Sequence, residues 1–401
     1  MNRVVVTGLG PVSSIGIGVS AFTDGLRTGR SGISPISSFD ASGFPHRNAG
    51  EVPDFQPERL LRRIDAARWG RSSQFAAAAA RLALTDSGLD PAAVEADRVG
   101  AVVGTTSGES VVVEAVTAQQ VEGGFDQMDP DLLGQITAGR LAHAVNTELE
   151  LTGESLTLAT ACSASNYAIG YAYDMLATGE ADVMFAGGAD SVCRWAHAGF
   201  YRLGALTADA CSPFDRDRSG ILTGEGGAIL MLENLDQARD RGARIYAEVL
   251  GYGLNCDANH PVAPDRTSIA ECMRMAHRNA SIKPEDVDYI SAHGTGTPAN
   301  DSVEAHAILD VFGDRVPPVS SIKSMIGHTM GAASGFGAIA GTLAIAHGFL
   351  PPTINWSNPD PALDRLDPVP NTARTAAVRV VQNNGFAFGG NNAIVLIGAV
   401  E

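Results

Sequence analysis

This sequence has few lysines, no net positive charge and no closely spaced cysteine pairs. Only Lys283 and Lys323 are lysines among 28 basic residues, and 45 acidic residues leave a net charge of −17. Nucleic-acid binding needs an excess of Lys and Arg, so we expect no nucleic-acid partner. The five cysteines are odd in number, widely spaced and without a CxxC pair. This argues against a disulfide framework and structural zinc, and favours a reducing, cytoplasmic location.

Long apolar runs and targeting signals are lacking as well. We expect no membrane span, because we find no run of about 18 uncharged apolar residues. We expect no signal peptide, because "MNRVVVTGLG" has no apolar stretch followed by a cleavage site. The histidines outside the motifs below follow no metal-ligand spacing, so we expect no metal.

What the chain does contain is a regular alternation of apolar β-runs and Ala-rich helical stretches, which predicts an α/β fold. The candidate strands are Val4–Thr7, Val99–Val103, Leu156–Leu158, Val183–Ala186, Ala228–Leu232, Ala247–Gly253, Tyr289–Ala292, Val319–Ser321, Val378–Asn383 and Ala393–Ile397. The candidate helices are Ala67–Ser87, Asn166–Thr178, Leu235–Arg241, Thr267–Asn279, Asp301–Phe312 and Ala333–His347. A charged helix end near Arg239–Ile245 predicts two units, residues 1–243 and 244–401.

The stretch "TLATACSASNYAIGYA" (157–172) places Cys162 where a strand ends and a helix begins. Free N–H groups and the partial positive charge of a helix N-terminus would lower the thiol pKa and favour a nucleophile. The alternative interpretation is a small buried side chain, because free cysteines are often buried.

Three further stretches contain candidate functional residues. His293 ends a strand in "AHGTGTPANDSVEA" (292–305), although a turn histidine bonded to backbone remains an alternative. Lys323 and His328 lie in "SSIKSMIGHTMGAASG" (320–335), which lacks the GK[ST] ending of a phosphate loop. The loop "NNGFAFGGNNA" (383–393) allows close backbone approach and can supply part of an oxyanion hole.

Two other enzyme classes fit less well. The distance from Cys162 to His293 is similar to that in papain-like proteases, but the local CGSCW-type signature is missing. The turn "TGLGPVSSIG" (7–16) follows a first strand, but its spacing is wrong for a dinucleotide fingerprint.

Taken together, these stretches resemble the β-ketoacyl-acyl-carrier-protein synthases of the elongating, decarboxylating type. Further matching stretches are "RVVVTGLGPVSSIG", "FAGGADS" and "SPFDRDRSGILTGEGGAILMLE". The resemblance implies an α/β thiolase-like fold, a layered αβαβα sandwich built from two similar halves. It also implies a dimer, either a homodimer or a ketosynthase heterodimer.

The resemblance assigns site residues position by position. The family's Cys-His-His triad falls on Cys162, His293 and His328, its lysine on Lys323 and its acidic partner on Glu304. Phe388 would be the gating ring, and its backbone N–H would complete the oxyanion hole with that of Cys162. The implied substrate contacts are Thr295, Thr297, Ser107 and Phe200, with the two threonines on the phosphopantetheine arm.

The implied reaction is a decarboxylative Claisen condensation between an acyl group on Cys162 and malonyl-acyl-carrier protein. A thiolate can carry the acyl group, and two imidazole N–H donors can stabilise the enolate formed as CO2 leaves. No cofactor is expected, because the substrates are carried on the phosphopantetheine of acyl carrier protein. The segment "PERLLRRIDAARWGR" (57–71) would dock the acidic carrier through Arg59, Arg62, Arg63 and Arg68, with Arg71 beside them. The alternative is a solvated arginine-rich face.

Some positions depart from the fatty-acid enzymes of this family. Ser107 stands where a branched apolar residue usually gates the acyl pocket, and Asn391 stands where threonine is usual. We therefore expect type II polyketide or polyene biosynthesis. The alternatives are a housekeeping fatty-acid elongation synthase, a non-elongating carrier-docking subunit of a ketosynthase heterodimer, and an acyltransferase or hydrolase that uses Cys162 without decarboxylation.

Overall fold

A computed structural model describes residues 1–401, with sixteen strands and thirteen helices. The strands are β1 (Val4–Ser13), β2 (Gly16–Ile17), β3 (Ser34–Pro35), β4 (Asn48–Gly50), β5 (Val99–Gly104), β6 (Ser155–Leu158), β7 (Val183–Asp190), β8 (Thr223–Gly224), β9 (Gly226–Asn234), β10 (Ala247–Cys256), β11 (Tyr289–Ser291), β12 (Val319–Ser320), β13 (Phe349–Leu350), β14 (Arg374–Thr375), β15 (Val380–Phe386) and β16 (Asn391–Gly398). The helices are α1 (Val19–Thr28), α2 (Pro57–Leu60), α3 (Arg71–Ser87), α4 (Ser110–Gly123), α5 (Pro130–Leu133), α6 (Arg140–Leu149), α7 (Ala164–Thr178), α8 (Arg194–Arg202), α9 (Leu235–Asp240), α10 (Arg266–Ala280), α11 (Pro298–Phe312), α12 (Lys323–Ile326) and α13 (Ala333–His347).

The main sheet consists of two five-stranded sheets that are joined edge to edge and have the same strand pattern. Its order is β12-β11-β15-β16-β10-β1-β9-β7-β5-β6, and the two sides meet where β10 pairs antiparallel with β1. On one side, β1–β9 and β9–β7 are antiparallel, while β7–β5 and β5–β6 are parallel. On the other side, β10–β16 and β16–β15 are antiparallel, while β15–β11 and β11–β12 are parallel. The fold is therefore built from two similar halves, as predicted.

Three large apolar clusters correspond to the three helical layers. Helices α7 and α13 share the first cluster between the two five-stranded sheets. Helices α3 and α6 pack on the outer face of the first half, and α10 and α11 on the outer face of the second. Sheets covered on both faces need near-continuous apolar strands, and all ten residues of β1 are buried. The result is the αβαβα sandwich of the thiolase-like fold.

Helix α13 corrects one expectation from the sequence. Residues Met330–His347 form an uncharged run that is long and apolar enough to span a membrane, so the expectation that no such run exists is wrong. Within the fold, 83% of this run is buried. A helix enclosed between two sheets is apolar on all sides, which explains its composition.

All ten candidate strands are present, but the helix predicted for Ala67–Ser87 is wrong at its start. A short 3₁₀ turn covers Ala66–Arg68, and Trp69 and Gly70 are extended, so α3 begins at Arg71. Four helices of nine or more residues were missed: α1, α4, α6 and α8. In α4 the run "SVVVEAV" is rich in β-branched residues, and only three of its fourteen residues are buried, so the apolar pattern that marks a helix is weak.

The predicted boundary after residue 243 lies in the loop between α9 and β10. The division into residues 1–243 and 244–401 stays a prediction in its exact bounds.

Candidate active site

Cys162 lies between β6 and α7, at the junction that the sequence predicts. A 3₁₀ turn, Ala161–Ser163, leads directly into α7, and Ala161 opens it with a left-handed φ of 50°. Cys162 is 5% exposed, yet it lines a cavity of about 350 Å³. The fold therefore presents the thiol at the start of a helix and at the bottom of a cavity.

The same cavity brings together residues from seven separate segments of the chain. Eleven of its 21 lining residues are hydrophobic. The predicted site residues among them are Cys162, Phe200, His293, Thr295, Thr297, His328 and Phe388.

The two histidines face each other across this cavity. Their ring centroids are 5.6 Å apart and the rings are nearly perpendicular, at 81°. His328 Nδ1 accepts a hydrogen bond from the Met330 N–H (3.1 Å), so the proton of the neutral ring lies on Nε2. Burial lowers the pKa of both histidines well below the usual value, and the charge of Lys323 lowers each further. Both rings are therefore neutral near pH 7 and can donate hydrogen bonds.

Glu304 and Lys323 lie behind the histidines rather than in the cavity wall. Glu304 accepts hydrogen bonds from the backbone N–H groups of His293 (2.8 Å) and Gly294 (2.7 Å). Lys323 Nζ donates to the His293 carbonyl oxygen. Burial raises the pKa of Glu304 and lowers that of Lys323, while the charge of Glu304 acts to raise the pKa of Lys323. The two side chains hold the turn that contains His293 from both sides.

The thiol of Cys162 differs from the sequence expectation in its ionisation. Burial raises its pKa to about 11, although the charge of Lys323 and the N–H groups of Cys162 and Phe388 act in the opposite direction. The expected lowering of this pKa is therefore wrong, because loss of hydration outweighs the favourable neighbours. The resting group is a thiol.

Phe388 lies in the loop between β15 and β16 and partly covers the cavity. Its ring is 37% exposed and lies 5.9 Å from the ring of Phe200. Phe200 in turn lies 6.5 Å from the His328 ring. The backbone N–H groups of Phe388 and Cys162 each act to lower the pKa of the Cys162 thiol.

The remaining predicted substrate contacts are divided between two cavities. The hydroxyls of Thr295 and Thr297 lie 2.9 Å apart in the Cys162 cavity. Ser107 is not in its wall; it lines a separate cavity of about 650 Å³ with Ser110, Val113 and other residues of α4 and α8.

The four arginines predicted to dock a carrier, Arg59, Arg62, Arg63 and Arg68, are all exposed. Arg63 pairs with Glu150. Arg71 does not belong with them: its guanidinium pairs with buried Glu225 and lies over the Phe75 ring. Between residues 57 and 70 only Pro57–Leu60 is α-helical, so the predicted basic surface is mostly loop.

Sequence reasoning missed three residues that shape the site. Phe386 packs against His293 with a centroid distance of 5.6 Å, and Asn384 donates to Glu304 (2.9 Å). Both lie in the Gly-rich stretch already noted, where only Phe388 was singled out. Asp190, at the end of β7, accepts bonds from the N–H groups after β5 and from Gly331.

The family models named "Beta-ketoacyl synthase, N-terminal domain" and "Beta-ketoacyl synthase, C-terminal domain" match residues 1–238 and 246–357. Among curated proteins, the chain is 40% identical to 3-oxoacyl-[acyl-carrier-protein] synthase 2 of Synechocystis sp., over 98% of this chain and 96% of the relative. It is 39% identical to the protein of the same name from Coxiella burnetii, over 100% and 99%.

The chain is also similar to solved structures of ketosynthases. The ishigamide ketosynthase/chain length factor superposes with a TM-score of 0.98 at 52% identity, covering 100% of both chains. A type II polyketide ketosynthase, in complex with its acyl-carrier protein and bound to the hexaketide, gives a TM-score of 0.92 at 32% identity, again over 100% of both chains.

Proposed function

We propose, from the premise that this chain belongs to the β-ketoacyl synthase family, that it extends polyketide or polyene chains in a type II system. As a member of that family it is a condensing enzyme of the acyltransferase class. The observation that carries the proposed reaction is the meeting of Cys162, His293 and His328 in one cavity.

The first step in this proposal is acyl transfer to Cys162. The sulfur attacks the thioester carbonyl of an acyl-carrier protein, a new thioester forms, and the thiol proton leaves with the pantetheine sulfur. The backbone N–H groups of Cys162 and Phe388 would hold the negative charge of the tetrahedral intermediate. A thiol with a raised pKa is uncharged at rest, so the thiolate forms only as it reacts.

The second step is loss of CO2 from a malonyl thioester in the same cavity. Electrons of the breaking C–C bond move onto the thioester oxygen, and the N–H groups of neutral His293 and His328 would stabilise that enolate. The carbanion then attacks the acyl carbonyl on Cys162, and collapse of the intermediate releases the Cys162 thiolate and a β-ketoacyl thioester two carbons longer. The thiolate then takes a proton from water and returns to the resting thiol. Neutral imidazole rings suit this step, because they stabilise the enolate by hydrogen bonding and keep their protons.

Both substrates would arrive on acyl carrier protein, and we propose that the enzyme needs no cofactor of its own. Thr295 and Thr297 would bind the phosphopantetheine arm. The chain is acidic overall, so a carrier that is itself acidic needs a local basic surface. Exposed Arg59, Arg62, Arg63 and Arg68 supply it. We place the enzyme in the cytoplasm.

The proposal of a polyketide or polyene pathway rests on Ser107. The side chains of Ser107 and Ser110 line the 650 Å³ cavity, and the buried Ser107 hydroxyl has no hydrogen-bond partner. An unpaired hydroxyl favours a chain that carries an oxygen acceptor over a saturated chain, which leaves the hydroxyl unsatisfied. The small size of the Ser107 side chain would also suit a stiffer, unsaturated chain. The 52% identity to the ishigamide ketosynthase/chain length factor supports this reading. The full-length match to the 3-oxoacyl synthases favours the alternative, fatty-acid elongation.

A second subunit would complete this second cavity. Its rim includes Trp195, which is 64% exposed, and the neighbouring α4–α5 segment exposes further large apolar side chains, namely Val113, Val121, Phe125 and Leu133. Exposed apolar surface of this kind marks an interface. We propose that a second copy of this chain or a chain-length-factor subunit covers it.

A substrate panel tests the pathway. The protein, alone and co-expressed with a chain-length-factor subunit, is given saturated, polyene and β-oxygenated acyl-carrier proteins and then malonyl-carrier protein. Faster extension of the polyene or oxygenated chains supports the proposal, and equal or faster extension of saturated chains favours the fatty-acid alternative. Failure to acylate Cys162 in every combination would favour the non-elongating docking subunit. Sedimentation of the same samples distinguishes a homodimer from a heterodimer.

A further inference from the structure

Behind the His293 turn, a row of buried side chains continues from Glu304 towards the outer helical layer. Glu304 Oε1 accepts from Asn384 Nδ2 (2.9 Å), and Asn384 Oδ1 accepts from Gln382 Nε2 (2.8 Å). Gln382 Oε1 lies 2.7 Å from His277 Nε2. Glu304 and Gln382 are fully buried, and Asn384 and His277 are nearly so, at 2% and 4%. None of these four residues lines the Cys162 cavity.

The chemistry of the groups fixes the direction of every hydrogen bond in this row. Both Glu304 oxygens face only N–H donors, so a proton on either oxygen would lack an acceptor and the group is a carboxylate. Because the carboxylate can only accept, Asn384 donates its NH2 group to Glu304, and its amide oxygen points away. That oxygen accepts from the NH2 group of Gln382, so the Gln382 oxygen points towards His277. Gln382 Oε1 then requires the proton of His277 on Nε2.

His277 stands at the far end of the row as a neutral donor. Burial lowers its pKa, and its Nδ1 atom is buried with no partner. A buried polar pair is a poor source of stability, because an apolar pair of similar shape is often equally stable. Stability alone therefore gives no reason for His277 and Gln382 to be polar.

We propose that Gln382 and His277 are positioning residues, which hold Asn384 and Glu304 and through them the His293 turn in the geometry needed for CO2 loss. Gln382 is the donor to Asn384 Oδ1, so its removal frees that amide to rotate and weakens its bond to Glu304. Glu304 then holds the His293 N–H less firmly. Small displacements of a catalytic group reduce rates by large factors. The inference rests on the proposed function, since it assigns His293 to decarboxylation.

The test compares Gln382→Leu, His277→Leu and the double variant H277L/Q382L. Three quantities are measured for each: the rate of Cys162 acylation, the rate of CO2 release from malonyl-carrier protein, and the melting temperature. We expect Gln382→Leu to lower CO2 release by roughly 10- to 100-fold, with acylation changed by less than about twofold. His277→Leu should have a smaller effect, because Gln382 can still donate to Asn384.

The double variant separates positioning from stability. Gln382→Leu leaves both His277 and Asn384 without a partner, whereas the double variant leaves only the Asn384 oxygen unpaired, so its melting temperature should lie above that of Gln382→Leu. Its CO2 release should remain low, because Asn384 Oδ1 still lacks a donor. Tyr289→Phe is the matched control. It removes a buried 2.7 Å hydrogen bond between Tyr289 on β11 and Ser320 on β12, and Tyr289 has no hydrogen bond to any member of the row.

Three results would overturn the inference: CO2 release that recovers with the melting temperature, equal losses in acylation and CO2 release, or no loss at all. A wild-type protein that releases no CO2 would instead contradict the proposed function. The inference can then still be judged from the imidazole NMR signal of His293 in histidine-labelled protein. That signal should shift in Gln382→Leu and stay in place in Tyr289→Phe, and an unmoved signal in both would contradict it.

Discussion

The starts of α7 and α13 occupy equivalent places in the two halves, and their backbones are alike. Each is a 15-residue helix preceded by a 3₁₀ turn, Ala161–Ser163 in one half and Met330–Ala332 in the other. Ala161 and Met330 open these turns with φ values of 50° and 54°. Each helix ends at a left-handed glycine. The side chains differ: the second position of the turn is Cys162 in the first half and Gly331 in the second.

The difference follows from what surrounds each turn. Cys162 faces the cavity, whereas a Cβ atom at Gly331 would lie 2.5 Å from the Thr105 Cα atom. The Gly331 N–H donates to Asp190, and its carbonyl oxygen accepts from Ser165. The second turn therefore has no room for a side chain, and its half contributes His328 from three residues earlier. In the proposed reaction, the two similar helix starts therefore provide one nucleophile, and the hydrogen-bond donors come from the other half.

Removing the proposed nucleophile should have the largest effect on activity. In Cys162→Ala both helix starts lack a reactive side chain, so condensation should fall by at least about 1,000-fold. Product formation on the carrier, followed by mass spectrometry, measures this loss. Cys272→Ser, at a buried thiol outside the cavity, should keep its activity, and equal loss in both variants would contradict the role of Cys162.

Removing a donor from the second half should have the next largest effect. His328→Ala deletes one of two N–H groups proposed to face the enolate, and loss of such a donor costs about 100- to 1,000-fold. Steady-state rates of condensation over a range of malonyl-carrier concentrations give kcat and KM separately, and the loss should appear in kcat. A change confined to KM would show that His328 binds substrate without stabilising charge.

The pKa of the Cys162 thiol, at the start of α7, can be tested by its reactivity. Burial raises the thiol pKa to about 11, so the thiolate fraction should rise with pH throughout the range below that value. Alkylation of Cys162 by iodoacetamide should therefore increase roughly 100-fold between pH 7 and pH 9 without a plateau. Peptide mass spectrometry gives the rate for each cysteine. A plateau near pH 7 would show that the helix N-terminus and Lys323 outweigh burial.

The carrier-docking surface belongs to the first half alone in this account, and changing it should have the smallest effect. Arg68→Glu should lower kcat/KM for acyl-carrier protein about three- to tenfold, with a smaller difference at high salt, because exposed charges mainly affect association. Arg239→Glu, on exposed α9, is the matched control. Equal effects of the two changes would indicate general repulsion of an acidic partner.

Much of this fold is readable from the sequence because the buried strands are apolar along their length. The ten candidate strands are all present, and Cys162, His293 and His328 lie in motifs whose order marks the family. Features that depend on tertiary packing were not readable. The raised pKa of Cys162 comes from burial by distant segments, and Arg71 is held by Glu225, which is far away in the sequence. The membrane-length run of α13 reflects its enclosure between two sheets.

The row from Glu304 to His277 shows the same limit. Its four members come from α10, α11 and β15, and only their hydrogen bonds show that they are connected. Gln382 and Asn384 are two residues apart on one strand and so share a face, which is the single local signal available.

The central claim is that the first half carries the acyl chain on Cys162 while the second half supplies the donors for CO2 loss. Its most direct test measures both half-reactions in wild-type protein and in His328→Ala, using intact mass for acylation and labelled malonyl-carrier protein for CO2. The account predicts that wild type performs both, and that His328→Ala acylates Cys162 at a near-normal rate but releases CO2 at least about 100-fold more slowly. Parallel loss of both half-reactions, or undiminished CO2 release, would contradict it.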